Sequence, residues 1–144
     1  METQNFKNHT RFVTGFHFVT FGLILLLLIL AIINFFKVIG EPMGFFNGLI
    51  PILTVIILTL IAWYSRVFAL KAQDRAIRAE ENLRNFALTG KLLDPNLKMS
   101  QIIALRFADD DEFLKLTKKA VNENLKSKEI KQSITNWKAD NNRA

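Results

Sequence analysis

Polar and apolar positions divide this chain into stretches of different character. From Phe12 to Phe36 and again from Pro42 to Ser65, windows of 25 and 24 residues, there is no Asp, Glu, Lys or Arg. Each window is long enough to cross the hydrocarbon core of a bilayer as a helix. After Ser65 the charges return but the helix breakers do not: neither Gly nor Pro occurs between Pro51 and Gly90, and without them nothing interrupts a helix. The pattern predicts a first span over residues 13–36, a turn over residues 37–47, and one long helix over residues 49–89. The first half of that helix crosses a membrane and the second half continues into cytosol. At the standard rise it reaches about 60 Å, of which a hydrocarbon core takes about half. The expected fold class is all-α, a membrane helical hairpin whose second span runs on into a long cytosolic helix, followed by a small bundle of short helices. In residues, this is a cytosolic N-terminal lead over 1–12, a two-span hairpin over 13–70, the helical extension over 66–89 and a cytosolic domain over 91–144.

On the long helix, Ala62, Ser65, Ala69, Ala72, Ala76, Ala79, Leu83 and Phe86 recur at alternating spacings of 3 and 4. That is a heptad seam, and its small side chains let a partner backbone come close. Ala69, Ala72, Ala76, Ala79, Leu83 and Phe86 are therefore the candidate helix-packing or partner residues. Leu70, Ile77 and Leu88 form a second apolar stripe on another side. Two stripes suggest two neighbours: one stripe receives the chain's own C-terminal domain and the other faces a second subunit or nothing. Lys71, Arg75 and Arg78 cluster on a third side as a candidate basic face, solvated or set against lipid. Asp74 with Arg78 and Glu80 with Arg84 stand four apart, and such pairs support a helix by a few tenths of a kcal/mol each.

In the first window Gly15 and Gly22 share a face, where small residues permit close helix approach. His17 is the window's ionisable residue, and its nearness to the boundary suits an interfacial imidazole. The window is too long for a secretory signal and no small-x-small cleavage site follows it, so it reads as a permanent span. The turn holds Lys37, the N-terminal lead holds Lys7 and Arg11, and the flank after the second span holds Arg66, Lys71, Arg75, Arg78 and Arg84. By the positive-inside rule both termini are cytosolic. Trp63, Tyr64 and Arg66 then fall at the inner headgroup layer as interface anchors.

Past Gly90, a natural left-handed helix terminator, Asp94-Pro95 predicts a turn. Ser100 is positioned to cap a helix over Gln101–Phe107. Asp109 as N-cap with Glu112 three residues on predicts a capping box. A last helix from Ser127 presents Ile130, Ile134 and Trp137 on one face, with Trp137 closing a small core and the chain fraying from Lys138. The acidic run Asp109-Asp110-Asp111-Glu112 matches a helix N-terminus, since no Gly-spaced calcium loop and no nearby His or Cys accompanies it.

Composition narrows the picture further. There is no cysteine, which removes disulfides and thiolate metal sites. Of 19 Lys and Arg, 16 lie from Arg66 onward against 11 acids, a balance that suits anionic headgroups. Alternation with acids and the lack of a stacking aromatic platform argue against nucleic acid. His9 and His17 have no nearby carboxylate by sequence, so no catalytic set, cofactor site, metal site or small-molecule substrate is expected, and the chain does not read as an enzyme.

Asn8-His9-Thr10-Arg11, the string from Arg66 to Arg84, Ile102-Ile-Ala-Leu-Arg-Phe-Ala and Asn136-Trp137 together resemble an uncharacterised family of small bacterial two-span membrane proteins. The resemblance runs nearly end to end and implies a bacterial inner-membrane location. It supplies no catalytic residue. The function expected is that of a membrane-anchored interaction module or accessory subunit, with the lipid bilayer and either a protein partner or a second copy as partners. The alternative is a small oligomeric channel or transporter subunit, in which Thr14, His17, Thr20 and Asn34 would line a pore.

Overall fold

A computed structural model describes residues 5, 6 and 13–140. The polar lead with Lys7, His9 and Arg11 lies outside the described residues, as do residues 141–144. A π-helical stretch, Gly15–Thr20, leads into α1 (Phe21–Val38), followed by α2 (Gly44–Thr89), α3 (Met99–Leu105), α4 (Asp110–Asn122) and α5 (Ser127–Ser133). The fold is all-α, and the described residues form no strand beyond a single antiparallel bridge between Ala108 and Trp137. The long helix of 46 residues is continuous, with Pro51 inside it. Two compact units divide within α2: one is Phe12–Ala69, and the other takes in the chain from Leu70 onward.

In the first unit the chain reverses over residues 39–43, where Met43 adopts a left-handed φ of 62°. The helices are closest near this turn. A Cβ on Gly48 would stand 2.7 Å from Phe35 Cδ2 and 2.9 Å from Phe35 Cα, and one on Gly44 would collide with the Val38 carbonyl oxygen. Gly15 and Gly22, the positions expected to mark a helix seam, have nothing within 4 Å of such a Cβ. The close approach belongs instead to Gly44 and Gly48, which the tight reversal carries directly against the end of α1. Ala31 and Val55 are the other well-buried positions of the hairpin.

Asn34 also acts between the two helices. Pro51 has no N–H, so the Asn47 carbonyl lacks its usual donor four residues on, and Asn34 Nδ2 donates to that oxygen at 3.4 Å. The bond is long, and it places the polar amide where the backbone ladder is open.

The second unit has a core of Ile77, Leu93, Leu97, Ile102, Leu105, Phe107, Phe113, Leu116, Ile130 and Ile134, filled out by Ala104, Ala108 and Ala120. Gly90 ends α2 with φ +72°, as its position predicts. Asp94 Oδ1 accepts from the Asn96 N–H at 2.8 Å, which forms the expected turn.

Four local expectations differ from the structure. The helix read as Gln101–Phe107 runs Met99–Leu105, with Lys98 rather than Ser100 at its N-cap. Gln101 Oε1 accepts from the Lys98 N–H at 2.8 Å, so the third helical residue satisfies the orphan donor. Asp109 does cap α4, accepting from the Asp110 N–H, but Glu112 does not complete a capping box. Its Oε2 accepts from the N–H groups of Thr135 and Asn136 at 3.0 and 3.3 Å. Finally, α5 stops at Ser133, so Trp137 reaches the core from an extended segment rather than from a helical face. That segment is held by Asp109 N–H to Asn136 O and Lys138 N–H to Phe107 O, and Trp137 lies 5.2 Å from Phe107 between ring centroids. Residues 138–140 are engaged rather than frayed, since Asp140 also pairs with Arg106 at 3.2 Å.

The hairpin contact predicts an asymmetry among glycines. Gly48→Ala forces Phe35 to give way, and overpacking of this kind costs about 1 to 3 kcal/mol. Gly22→Ala meets open space and adds helix propensity. Thermal unfolding of the two purified variants in detergent should show a lowered midpoint for Gly48→Ala and none for Gly22→Ala.

Candidate functional site

Within the second unit, the Leu70–Thr89 part of α2 carries two faces with different jobs. The face against the small core is formed by Ile77, Glu81, Arg84 and Asn85, spaced i, i+4, i+7 and i+8. Only Ile77 among them is apolar. The rest of the attachment is polar, and Arg84 is its centre. Its Nε donates to Asp110 Oδ1 at 2.6 Å, one terminal nitrogen donates to the Ala108 carbonyl at 2.8 Å, and the other reaches Glu81 Oε2 at 3.2 Å. Its guanidinium carbon stands 4.3 Å above the Phe113 ring. The planar fork of arginine suits this combination of several acceptors and an aromatic face. The sequence pairing of Glu80 with Arg84 is thus replaced by Glu81 and Asp110, because Arg84 turns inward toward the core.

Asparagines extend the attachment. Asn82 Oδ1 accepts from the Leu93 N–H at 3.1 Å, and Asn85 Nδ2 donates to the Lys91 carbonyl at 2.7 Å. Together they hold the connector after Gly90 back along α2. Gln101, buried in the small core, donates to the Ala120 and Leu125 carbonyls at 3.2 and 2.9 Å, and so closes the C-terminal end of α4. Sequence reasoning missed this polar set. Its signal was present: Glu81 and Asn85 continue the line of Ile77 at four-residue steps.

Beside Arg84 a cavity of about 370 Å³ is lined by Gln73, Ala76, Ile77, Glu80, Glu81, Arg106, Lys138, Ala139 and Asp140 as well as Arg84 itself. Burial pushes the Glu81 carboxyl above the ordinary glutamate value, with Arg84 opposing. Glu112 moves the other way: a desolvation cost is outweighed by hydrogen bonds from Thr135 and Asn136, which hold its carboxyl low. The acidic run is therefore divided among structural partners, Asp109 on the Asp110 N–H, Asp110 on Arg84 and Glu112 on the 135–136 backbone.

The other predicted residues are placed as follows. Ala69, Ala72, Ala76 and Ala79 are exposed, and Leu83 and Phe86 are 68% and 52% exposed. Lys71, Arg75 and Arg78 are exposed too. Leu70 and Leu88, which share the second apolar stripe with Ile77, are 39% and 42% exposed, so Ile77 alone of that stripe enters the core. In the first unit Trp63 and Tyr64 are exposed, Tyr64 stacks on Phe68, and the Arg66 guanidinium lies 5.8 Å from the Phe16 ring centroid. His17 Nδ1 stands 3.0 Å from the Val13 carbonyl oxygen, within its own first turn.

Two measurements check this geometry. Arg84→Ala leaves Glu81 and the Ala108 carbonyl without their cation, and breaking a buried pair from one side costs about 3 to 5 kcal/mol. Arg78→Ala, on an exposed face, should stay within about 0.5 kcal/mol; chemical denaturation of both variants compares them. For Glu112, a folded-state pKa below the unfolded one means its stabilisation is present above the unfolded value and is lost as pH falls through the folded value. Glu112→Gln should therefore lower the melting midpoint at neutral pH and flatten its decline toward acid.

No curated protein and no solved structure matches the chain. A family model described as a family of unknown function (DUF6526) matches residues 1–144. Over its whole length, then, this chain belongs to the family DUF6526, whose function is unknown.

Proposed function

We propose that the protein is an integral membrane protein of the bacterial inner membrane, anchored by a two-helix hairpin and displaying a cytosolic helical module that docks a protein partner. The observation that carries this reading is the exposure of its most apolar helices. Gly15–Val38 and Gly44–Thr89 each contain an 18-residue window apolar enough to cross a membrane, with mean hydropathy of 2.8 and 2.4, yet only 6% and 11% of those windows are buried. A core helix of a soluble protein would bury such a window. Apolar surface on this scale, left uncovered by the chain itself, calls for an apolar solvent.

Orientation follows from the cations. Arg66, Lys71, Arg75 and Arg78 follow the second apolar window, and the turn before it has only Lys37, so both termini lie in the cytosol under the positive-inside rule. Trp63 and Tyr64 beside Arg66 suit the headgroup layer on that side. The interaction reading is supported over a pore by how the polar groups of the first unit are used. Thr20 Oγ1 donates to the Gly15 carbonyl and Asn34 Nδ2 to the Asn47 carbonyl, so each of these side chains commits a donor to the chain's own backbone.

The test is a pair of fusions after Ala144 combined with membrane fractionation. A reporter that folds only in cytosol should be active and one that requires the periplasm inactive, with the protein retained in carbonate-washed membranes. Periplasmic activity overturns the orientation, and release by carbonate overturns the membrane reading.

A further inference from the structure

The exposed face of α2 has the periodicity and the flanking charges of one half of a coiled coil. Ala72, Ala76, Ala79, Leu83 and Phe86 follow one another at 4, 3, 4 and 3 residues. Its two large members are exposed, Leu83 at 68% and Phe86 at 52%. Phe86 is nine residues from Ile77, about two and a half turns, so it faces away from the side that holds the small core, while Ala76, though exposed, stands at the rim of the cavity beside Arg84. Nothing in the second unit covers the stripe among the described residues.

The charges select the occupant. With Ala72 and Ala79 at d and Ala76 and Leu83 at a, Arg75 occupies the g position before Ala76 and Glu80 the e position after Ala79. They border the stripe on opposite sides. In a parallel, in-register pair the g residue of one helix meets the residue five further on in the other. From Arg75 that residue is Glu80, so each Arg75 faces Glu80 of the partner subunit, and two-fold symmetry makes the contact twice. We propose that this face pairs with the same face of a second copy of the chain, as a parallel two-stranded coil centred on Ala76 and Ala79.

The proposal rests on the membrane reading for its parallel sense, because two copies inserted the same way in one bilayer present α2 in the same direction. Tethering in the membrane also raises the effective concentration of the second helix, which a seam of only a few turns requires. The alanines bring the helix axes close, and Leu83 and Phe86 supply the larger apolar contacts.

The absence of cysteine makes the test direct, since a single introduced thiol can form a disulfide only between chains. In the full-length protein in native membranes, Leu83→Cys and Phe86→Cys should each give, on mild oxidation, a species of twice the monomer mass. The yield should be several-fold above that of Arg78→Cys on an outward face. Adding Glu80→Arg to Leu83→Cys should lower the yield several-fold, and adding Arg75→Glu as well should restore it. Equal yields at Leu83→Cys and Arg78→Cys overturn the pairing, as does a product joined to a polypeptide of another mass. Failure of the double charge reversal to restore the yield overturns the parallel register. Carbonate washing of the same membranes separates the two readings: a retained chain that does not crosslink sinks the pairing alone, and a released chain sinks the membrane assignment.

Discussion

An α-helix satisfies its own backbone hydrogen bonds whatever surrounds it, and α2 depends on that property. Its 46 residues pass from a window without charge to one in which cations and acids alternate. Under the membrane reading proposed above, a strand or a loop could not make this passage, because its N–H and C=O groups would need different partners in lipid and in water. The cost is that nothing may break the helix between, and the sequence from Ile52 to Thr89 contains no residue that would. Pro51 falls before this interval, where the amide of Asn34 stands at the one carbonyl it orphans.

The two units solve the packing problem differently. In the hairpin, contact is made by removing side chains: Gly44 and Gly48 let backbone approach backbone, and Ala31 and Val55 are nearly inaccessible. That economy fits a surrounding of lipid tails, where apolar burial between helices gains little and close van der Waals fit gains more. In the second unit the ordinary hydrophobic drive operates, with Phe107, Phe113, Leu105 and Ile130 fully buried. So small a core is marginal by itself, and it is tied to α2 by Arg84 and by the asparagines at 82 and 85.

What was legible in the sequence was whatever depends on periodicity and on helix breakers. The two apolar windows, the unbroken run of the long helix, its end at Gly90 and the existence of the short helices beyond were readable from spacing, whereas the start of the long helix was not: it was expected at residue 49 and lies at Gly44. Side-chain choices among several available partners were not. Glu112 had the position of a capping-box residue but faces the exposed N–H groups of residues 135 and 136. Arg84 had a carboxylate four residues back, yet the Phe113 ring and the Ala108 carbonyl lie on the other side of it. Both choices depend on a segment distant in sequence, and no local rule contains that segment. Trp137 was assigned to the core correctly and to a helix wrongly, because spacing of i, i+4, i+7 does not record that α5 stops at Ser133.

The polar character of the Arg84 attachment bears on why the opposite face of α2 is apolar. Had the small core been joined through a broad hydrophobic stripe, a helix with two such stripes would offer it alternative docking sites differing little in energy. An arginine that must find Ala108, Asp110 and the Phe113 face together accepts one side and rejects the other, since burial elsewhere would leave its charge without acceptors. Leu83 and Phe86 can then remain exposed without competing for the chain's own core. A helix that distinguishes its faces by chemistry, one polar and directional, the other small and apolar, keeps the second available for a neighbour that brings another helix rather than a hydrophobic core.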